Sequence, residues 1–152
     1  MTPLILQNTI VEEIKEITKG MLEDNPKDGL TGIRVFPQYL PDRKSYSDPD
    51  SFPFVAVRLT KGKNEIDQDS EAEIYLLIGN YDEKDDNQGQ RLILNIIQRI
   101  TEKFCKDTIV GGFFEYLGGE LALQEESAAP YFFGAFATKW KFKGIEKENS
   151  FA

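Results

Sequence analysis

The sequence predicts an α+β domain: a mainly antiparallel sheet with two helices packed on one face. Three observations lead there. Two segments repeat apolar residues at helical spacing, several others alternate apolar and polar residues as strands do, and hairpin-length connections dominate. The order that results is helix, strands, helix, strands, predicted as one domain over residues 1–143 with a polar tail over 144–152.

The first helix is predicted over residues 3–22. Leu6, Ile10, Ile14, Ile17 and Met21 fall on one side, while Glu12, Glu13, Lys15, Glu16 and Lys19 fall mostly elsewhere. Thr2-Pro3 suits the start, because proline at an early helical position loses no hydrogen bond. Asn25-Pro26-Lys27-Asp28-Gly29 then turns the chain. A short strand follows over Ile33–Phe36, ended by Pro37, and Pro41–Pro53 reads as an exposed loop.

From Phe54 the pattern is that of a strand, with Val55, Val57 and Leu59 alternating with their neighbours. Lys61–Ser70 is polar and reads as a hairpin connection. Ala72, Ile74, Leu76 and Ile78 then line one face of a second strand, opposite Glu73, Tyr75 and Leu77. The loop Asn80–Gly89 leads to the second helix, where Leu92, Ile93, Ile96, Ile97, Ile100 and Phe104 form a broad apolar stripe. Asn87 is placed to cap this helix and Gly89 to let the chain enter it. Leu94 falls off the centre of the stripe, where a leucine suits a subunit contact.

Beyond Cys105, Phe113–Leu117 and Glu120–Gln124 flank Gly118-Gly119, a two-residue hairpin signal. Tyr131–Phe142 is then one long strand, opened by Pro130, with Gly134 permitting close approach of a backbone or ring. Phe132, Phe136, Trp140 and Phe142 lie on one face. Tyr131, Phe133, Ala135, Ala137, Lys139 and Lys141 lie on the other. Apolar side chains on both faces imply that part of the strand is covered twice, once by the core and once by something else.

Composition narrows the chemistry. The chain has no histidine and one cysteine, which removes Ser-His-Asp and Cys-His nucleophiles, imidazole zinc sites, four-cysteine cages and disulfides within the chain. Eighteen basic against 26 acidic residues give a net charge of −8, which disfavours binding to a phosphate backbone. The N-terminal segment lacks the basic region of a signal peptide, and no apolar run is long enough for a membrane span, so an intracellular protein is expected. There is no phosphate-binding glycine loop, and Cys105 and Trp140 read as packing residues.

Two acidic clusters, Glu65/Asp67/Asp69/Glu71 and Asp82/Glu83/Asp85/Asp86, could in principle hold a divalent cation. The second fails the calcium-loop template, and both read as solvated loops. Asp82-Glu83-Lys84 also matches the D-x-K triplet of metal-dependent nucleases, an alternative that needs carboxylates gathered on a strand end. The expectation is therefore no catalytic residue, no cofactor and no metal.

A series of segments carries a resemblance. It runs through Pro53-Phe54-Val55-Ala56-Val57-Arg58, Ile78-Gly79-Asn80-Tyr81-Asp82 and Asn87-Gln88-Gly89, then Leu94-Asn95-Ile96-Ile97-Gln98-Arg99-Ile100, and closes with Pro130-Tyr131-Phe132-Phe133-Gly134 and Trp140. In order and spacing these segments resemble small tail-assembly proteins of long-tailed bacteriophages and prophages, of the tail terminator (tail completion) type. The likeness spans about the last two-thirds of the chain.

The resemblance implies a structural virion protein, not an enzyme, in the virion tail and in the host cytoplasm during assembly. It would form a ring, commonly of six copies, that caps the tail tube and meets the neck. Its partners would be itself, the tube protein and a neck or head-completion protein, without a membrane or sequence-specific nucleic acid. A head-completion or neck connector is the alternative within the same virion. Interface candidates are Leu94, Tyr81, Asp82, Tyr131, Phe133, Lys139 and Lys141, with the 61–71 and 80–89 loops. Acidic loops lining the tube would let DNA slide without sticking.

Overall fold

The computed structural model describes residues 2–21, 32–84 and 89–144. It has an α+β architecture in which six strands form one mostly antiparallel sheet, in the order β1-β2-β3-β6-β5-β4. The turn at residues 25–29, Asn87, Asp85, Asp86 and nearly all of the C-terminal tail lie outside the described residues.

Helix α1 spans Pro3–Thr18. The Thr2 hydroxyl caps it by accepting from the Ile5 N–H at 3.2 Å. Leu6, Ile10 and Ile14 are fully buried, as their spacing requires, and Val11 joins them. The helix ends earlier than the apolar spacing predicts. Gly20 adopts φ +81, a conformation in which glycine turns a chain out of a helix without a steric penalty. Met21 still packs against the core from beyond the helix end.

Strand β1 (Arg34–Pro37) runs parallel to β2 (Phe54–Lys63), with Arg34 opposite Phe54 and Val35 opposite Val55. A parallel pair needs a crossover between its strands. Here the crossover is residues 38–53, which carry two 3-10 turns, Arg43–Tyr46 and Pro49–Ser51, capped by Asp42 and Asp48. The stretch is less open than its composition predicts, since Leu40, Ser51 and Phe52 are buried.

Strands β2 and β3 (Ser70–Tyr81) extend into the stretch expected to be a connection, which shortens it to residues 64–69. Their register shifts between Leu59 and Lys61, a bulge at Thr60. Helix α2 (Gln90–Lys106) buries Ile93, Ile96, Ile97, Ile100 and Phe104. Gly89 stands at its N-cap, where a Cβ would lie 2.2 Å from the Phe132 ring. Cys105 belongs to the last turn of α2 and is exposed, so it does not pack in the core.

The Gly118-Gly119 hairpin is corrected by the structure. Residues Phe114–Leu123 form one continuous strand, β5, which pairs along β6 (Tyr131–Phe142) and bulges between Tyr116 and Gly118. Gly118 takes the bulge's positive φ of +118. At Gly119 a Cβ would meet the Phe136 ring at 2.4 Å, so the ring lies directly over the backbone. The two glycines serve a bend and a close approach. A two-residue β4 (Ile109–Val110) closes that side by pairing with Phe114 and Glu115. Gly134 admits the Ile93 Cγ2 methyl of α2, rather than a ring or a backbone.

Strand β6 pairs with β3 along its whole length and with β5 over most of it. Phe132, Phe136, Trp140 and Phe142 enter a large buried cluster with Val55, Val57, Ile74, Leu76 and Ile78. Both helices contribute to that cluster. Helix α1 meets β1 and β2, whereas α2 meets β3, β5 and β6. Each large aliphatic or aromatic side chain removed from water there contributes about 1.5–3 kcal/mol. Trp140 is fully buried within it, against Phe104 and Tyr116.

Candidate functional site

Three of the sequence-predicted interface residues come together at one end of the sheet. Tyr81 and Tyr131 are cross-strand partners with ring centroids 5.2 Å apart. Phe133 lies on the same strand face, 5.7 Å from the Phe52 ring. All three are partly buried and pack against a second buried cluster of Leu40, Phe52, Phe54 and Ala56, on the side of the sheet opposite Val55 and Val57. The other cover over β6 is therefore, at this end, the chain's own crossover segment. The Tyr131 hydroxyl donates to the Ser47 carbonyl and ties that segment down.

Around this cluster, backbone and charge hold the strand ends. The Asp82 N–H donates to the Pro130 carbonyl at 2.9 Å, and the Asp82 carboxylate accepts from the Lys84 N–H at 3.0 Å. The Tyr81 hydroxyl donates to Glu83 Oε1 at 2.7 Å. That hydrogen bond to a carboxylate pushes the phenol up to about 12, because ionisation would place two negative groups in contact. Among the described residues no three acidic or cysteine side chains gather as metal ligands would.

Lys139 and Lys141 lie on the same sheet face at its far end, among charges that a residue-by-residue reading passes over. The register aligns Lys63, Glu71, Lys141 and Glu115 across β2, β3, β6 and β5, so the charge alternates along the row. One step along, Lys61, Glu73 and Lys139 form a second row. Opposite charges directly across strands stabilise the pairing, whereas like charges would oppose it. The signal in the sequence is parity, since Lys61/Lys63, Glu71/Glu73 and Lys139/Lys141 are each two residues apart. Which pair meets which depends on register alone.

Lysines also reach the acidic loop. Lys141 pairs with Asp69 at 3.3 Å and Lys63 with Glu65 at 3.1 Å, so part of the loop's negative charge is balanced locally. A groove of about 530 Å³ lies among Lys61, Lys63, Glu71, Glu73, Leu117 and Lys139.

The margin of the sheet beyond β5 is different in character. β4 covers only Phe114 and Glu115, and the Tyr116 N–H still finds the Thr108 carbonyl at 2.7 Å. From Leu117 to Leu123 no strand among the described residues pairs with the outer side of β5. Leu117 is 48% exposed and Leu121 45%, with Ile109 at 54% on β4 and Phe113 at 60% in the turn between β4 and β5. Leu94, on the outer side of α2, is 39% exposed, in keeping with its place off the stripe. No sequence signal marks this margin, because strand order is not encoded in local pattern.

Among the described residues no helix is long and apolar enough to cross a membrane. No known family model matches the chain, and no curated protein matches it.

Proposed function

We propose that this chain is a structural protein of a long-tailed phage or prophage, which assembles with copies of itself into a ring that caps the tail tube and joins it to the neck. The observation that carries the self-assembly is the β4–β5 margin, where Ile109, Phe113, Leu117 and Leu121 are all large, apolar and exposed, and where no strand among the described residues pairs with the outer side of β5 from Leu117 to Leu123. Apolar side chains gathered at a sheet edge favour burial against another chain. The ordered likeness of segments from Pro53 to Trp140 supports the tail-terminator role, and it brings the tube protein and the neck as further partners. On this reading the protein acts by shape, without a catalytic residue or cofactor, in the host cytoplasm during assembly and then in the virion.

The test is direct. Light scattering on the purified protein is expected to give a closed oligomer, and the oligomer to co-sediment with phage tail tubes and stop their elongation. A protein that stays monomeric and ignores tubes would falsify the proposal. Binding to portal-bearing heads without binding to tubes would assign it to the neck instead.

A further inference from the structure

We infer that the open edge of β5 takes the outer edge of β1 from a second copy as its next strand, antiparallel, with Arg34 opposite Glu120. This rests on the self-assembly reading above and names the interface that carries it.

Strand direction permits the pairing. β1 runs with β2, β2 opposes β3, β3 opposes β6, and β6 opposes β5. A copy that continues the sheet in the same sense therefore brings its β1 antiparallel to β5. The chemistry of β5 invites a neighbour. From Leu117 to Leu123 it has no proline and no lysine, the residues that usually guard an edge, and Glu120 is its one charge.

The hydrogen-bonding parity selects the register. In β1 the Arg34 and Gln38 N–H groups turn inward, to the carbonyls of Pro53 and Val57 at 3.1 and 2.8 Å. The backbone groups of Ile33 and Val35 therefore face away from β2. In β5 the Tyr116 N–H faces outward, and the bulge before Gly118 shifts the alternation by one residue. Gly119, Leu121 and Leu123 thus present their N–H and C=O groups to solvent. Placing Ile33 opposite Leu121 and Val35 opposite Gly119 lets both pairs exchange two backbone hydrogen bonds.

The side chains agree with that register. Ile33 and Leu121 lie on the face of the large cluster, since Ile33 packs against that cluster and Leu121 pairs with Phe136. Arg34 and Glu120 lie on the other face, set by their partners Phe54 and Ala137, and bring opposite charges together. Phe36 falls over Gly118, where no side chain opposes it. Because each copy uses one edge of each kind, the contact is head-to-tail, the type that builds a ring where the rotation between copies closes.

The experiment uses the full chain with Cys105→Ser throughout, so that only introduced thiols react. Arg34→Cys combined with Glu120→Cys is expected, on mild oxidation, to give a disulfide-linked ladder of species beyond the dimer, which persists on dilution and collapses when a thiol reductant is added. Leu121→Pro removes an outward N–H without touching the β5–β6 ladder. It is expected to weaken self-association roughly tenfold or more, the loss of about one hydrogen bond and an apolar contact, while circular dichroism and Trp140 emission stay unchanged. Arg34→Glu or Glu120→Arg alone should weaken assembly, and the two together should restore it, which a folding defect would not do.

Assembly that survives Leu121→Pro, or cross-linking that stops at dimers, overturns this edge pairing and leaves the ring reading standing. A wild-type chain that is monomeric at every concentration tested overturns both. Multimers that form through this edge but ignore tail tubes retain the pairing and reject the tail role.

Discussion

Trp140 donates its indole N–H to the Thr138 hydroxyl at 2.8 Å, and Thr138 passes a hydrogen bond on to the Ile74 carbonyl, also at 2.8 Å. Both residues are wholly buried, on neighbouring positions of one face of β6. The short relay satisfies a polar group that would otherwise be stranded among Phe104, Tyr116 and Ile74. Thr138→Val keeps the shape and removes the hydroxyl. It is expected to destabilise the fold by about 1–3 kcal/mol, the cost of leaving the indole N–H unpaired. Urea unfolding followed by fluorescence measures this cleanly, because Trp140 is the chain's single tryptophan.

Gly79 is a second point where the chain tolerates no bulk. A Cβ there would lie 2.4 Å from Phe54 and 2.7 Å from Phe52, both fully packed in the second cluster. Gly79→Ala is expected to cost about 1–3 kcal/mol through overpacking. A thermal midpoint equal to that of the wild type would contradict it.

The charged rows predict a salt-dependent effect. Glu71→Lys sets a third cation between Lys63 and Lys141 and is expected to destabilise the sheet by about 0.5–1 kcal/mol in dilute buffer. The penalty should shrink in 1 M salt, where the screening length falls to about 3 Å. A penalty that does not change with salt would point to packing instead.

Tyr81 offers a pH signature. Its phenol holds the proton to about 12 in the folded chain, against 10.0 ordinarily, chiefly through the hydrogen bond to Glu83. The folded state therefore binds that proton more tightly than the unfolded state. The contribution is fully present below pH 10 and is lost as pH rises through 12. Glu83→Ala should bring one tyrosine's ionisation, followed at 295 nm and identified by its absence in Tyr81→Phe, back toward 10.0.

The nuclease alternative has its own check. Asp82 already accepts from the Lys84 backbone and lies past the end of β3, away from the fixed geometry of a strand. Incubation with DNA and Mg²⁺ is expected to give no cleavage. Cleavage that disappears in Asp82→Ala would instead establish a metal site.

Much of the fold is legible in the sequence because its signals are local. The α2 stripe from Ile93 to Phe104 and the alternation from Ala72 to Ile78 reflect the 3.6 and 2.0 periods of a backbone with one buried side. The twelve-residue β6, apolar on both faces, announced that it would be covered twice. Gly118-Gly119 misleads because the same pair serves a turn or a bulge, and only β6 running past it decides between them. The candidate site was legible in part. Tyr81, Tyr131 and Phe133 do meet, but under Phe52, which the polar composition of its loop concealed.

By itself the sequence determined which faces of the regular helices and strands leave water, and that chemistry needing histidine or several cysteines is closed to this chain, since periodicity and side-chain inventory are properties of short segments. The tertiary structure alone decided that β1 lies parallel to β2, that lysines and glutamates form ordered rows, and that among the described residues no strand covers the outer side of β5 from Leu117 to Leu123. These are matters of which strand neighbours which. Strand neighbours are chosen by contacts between residues distant in the chain, and no local period records them.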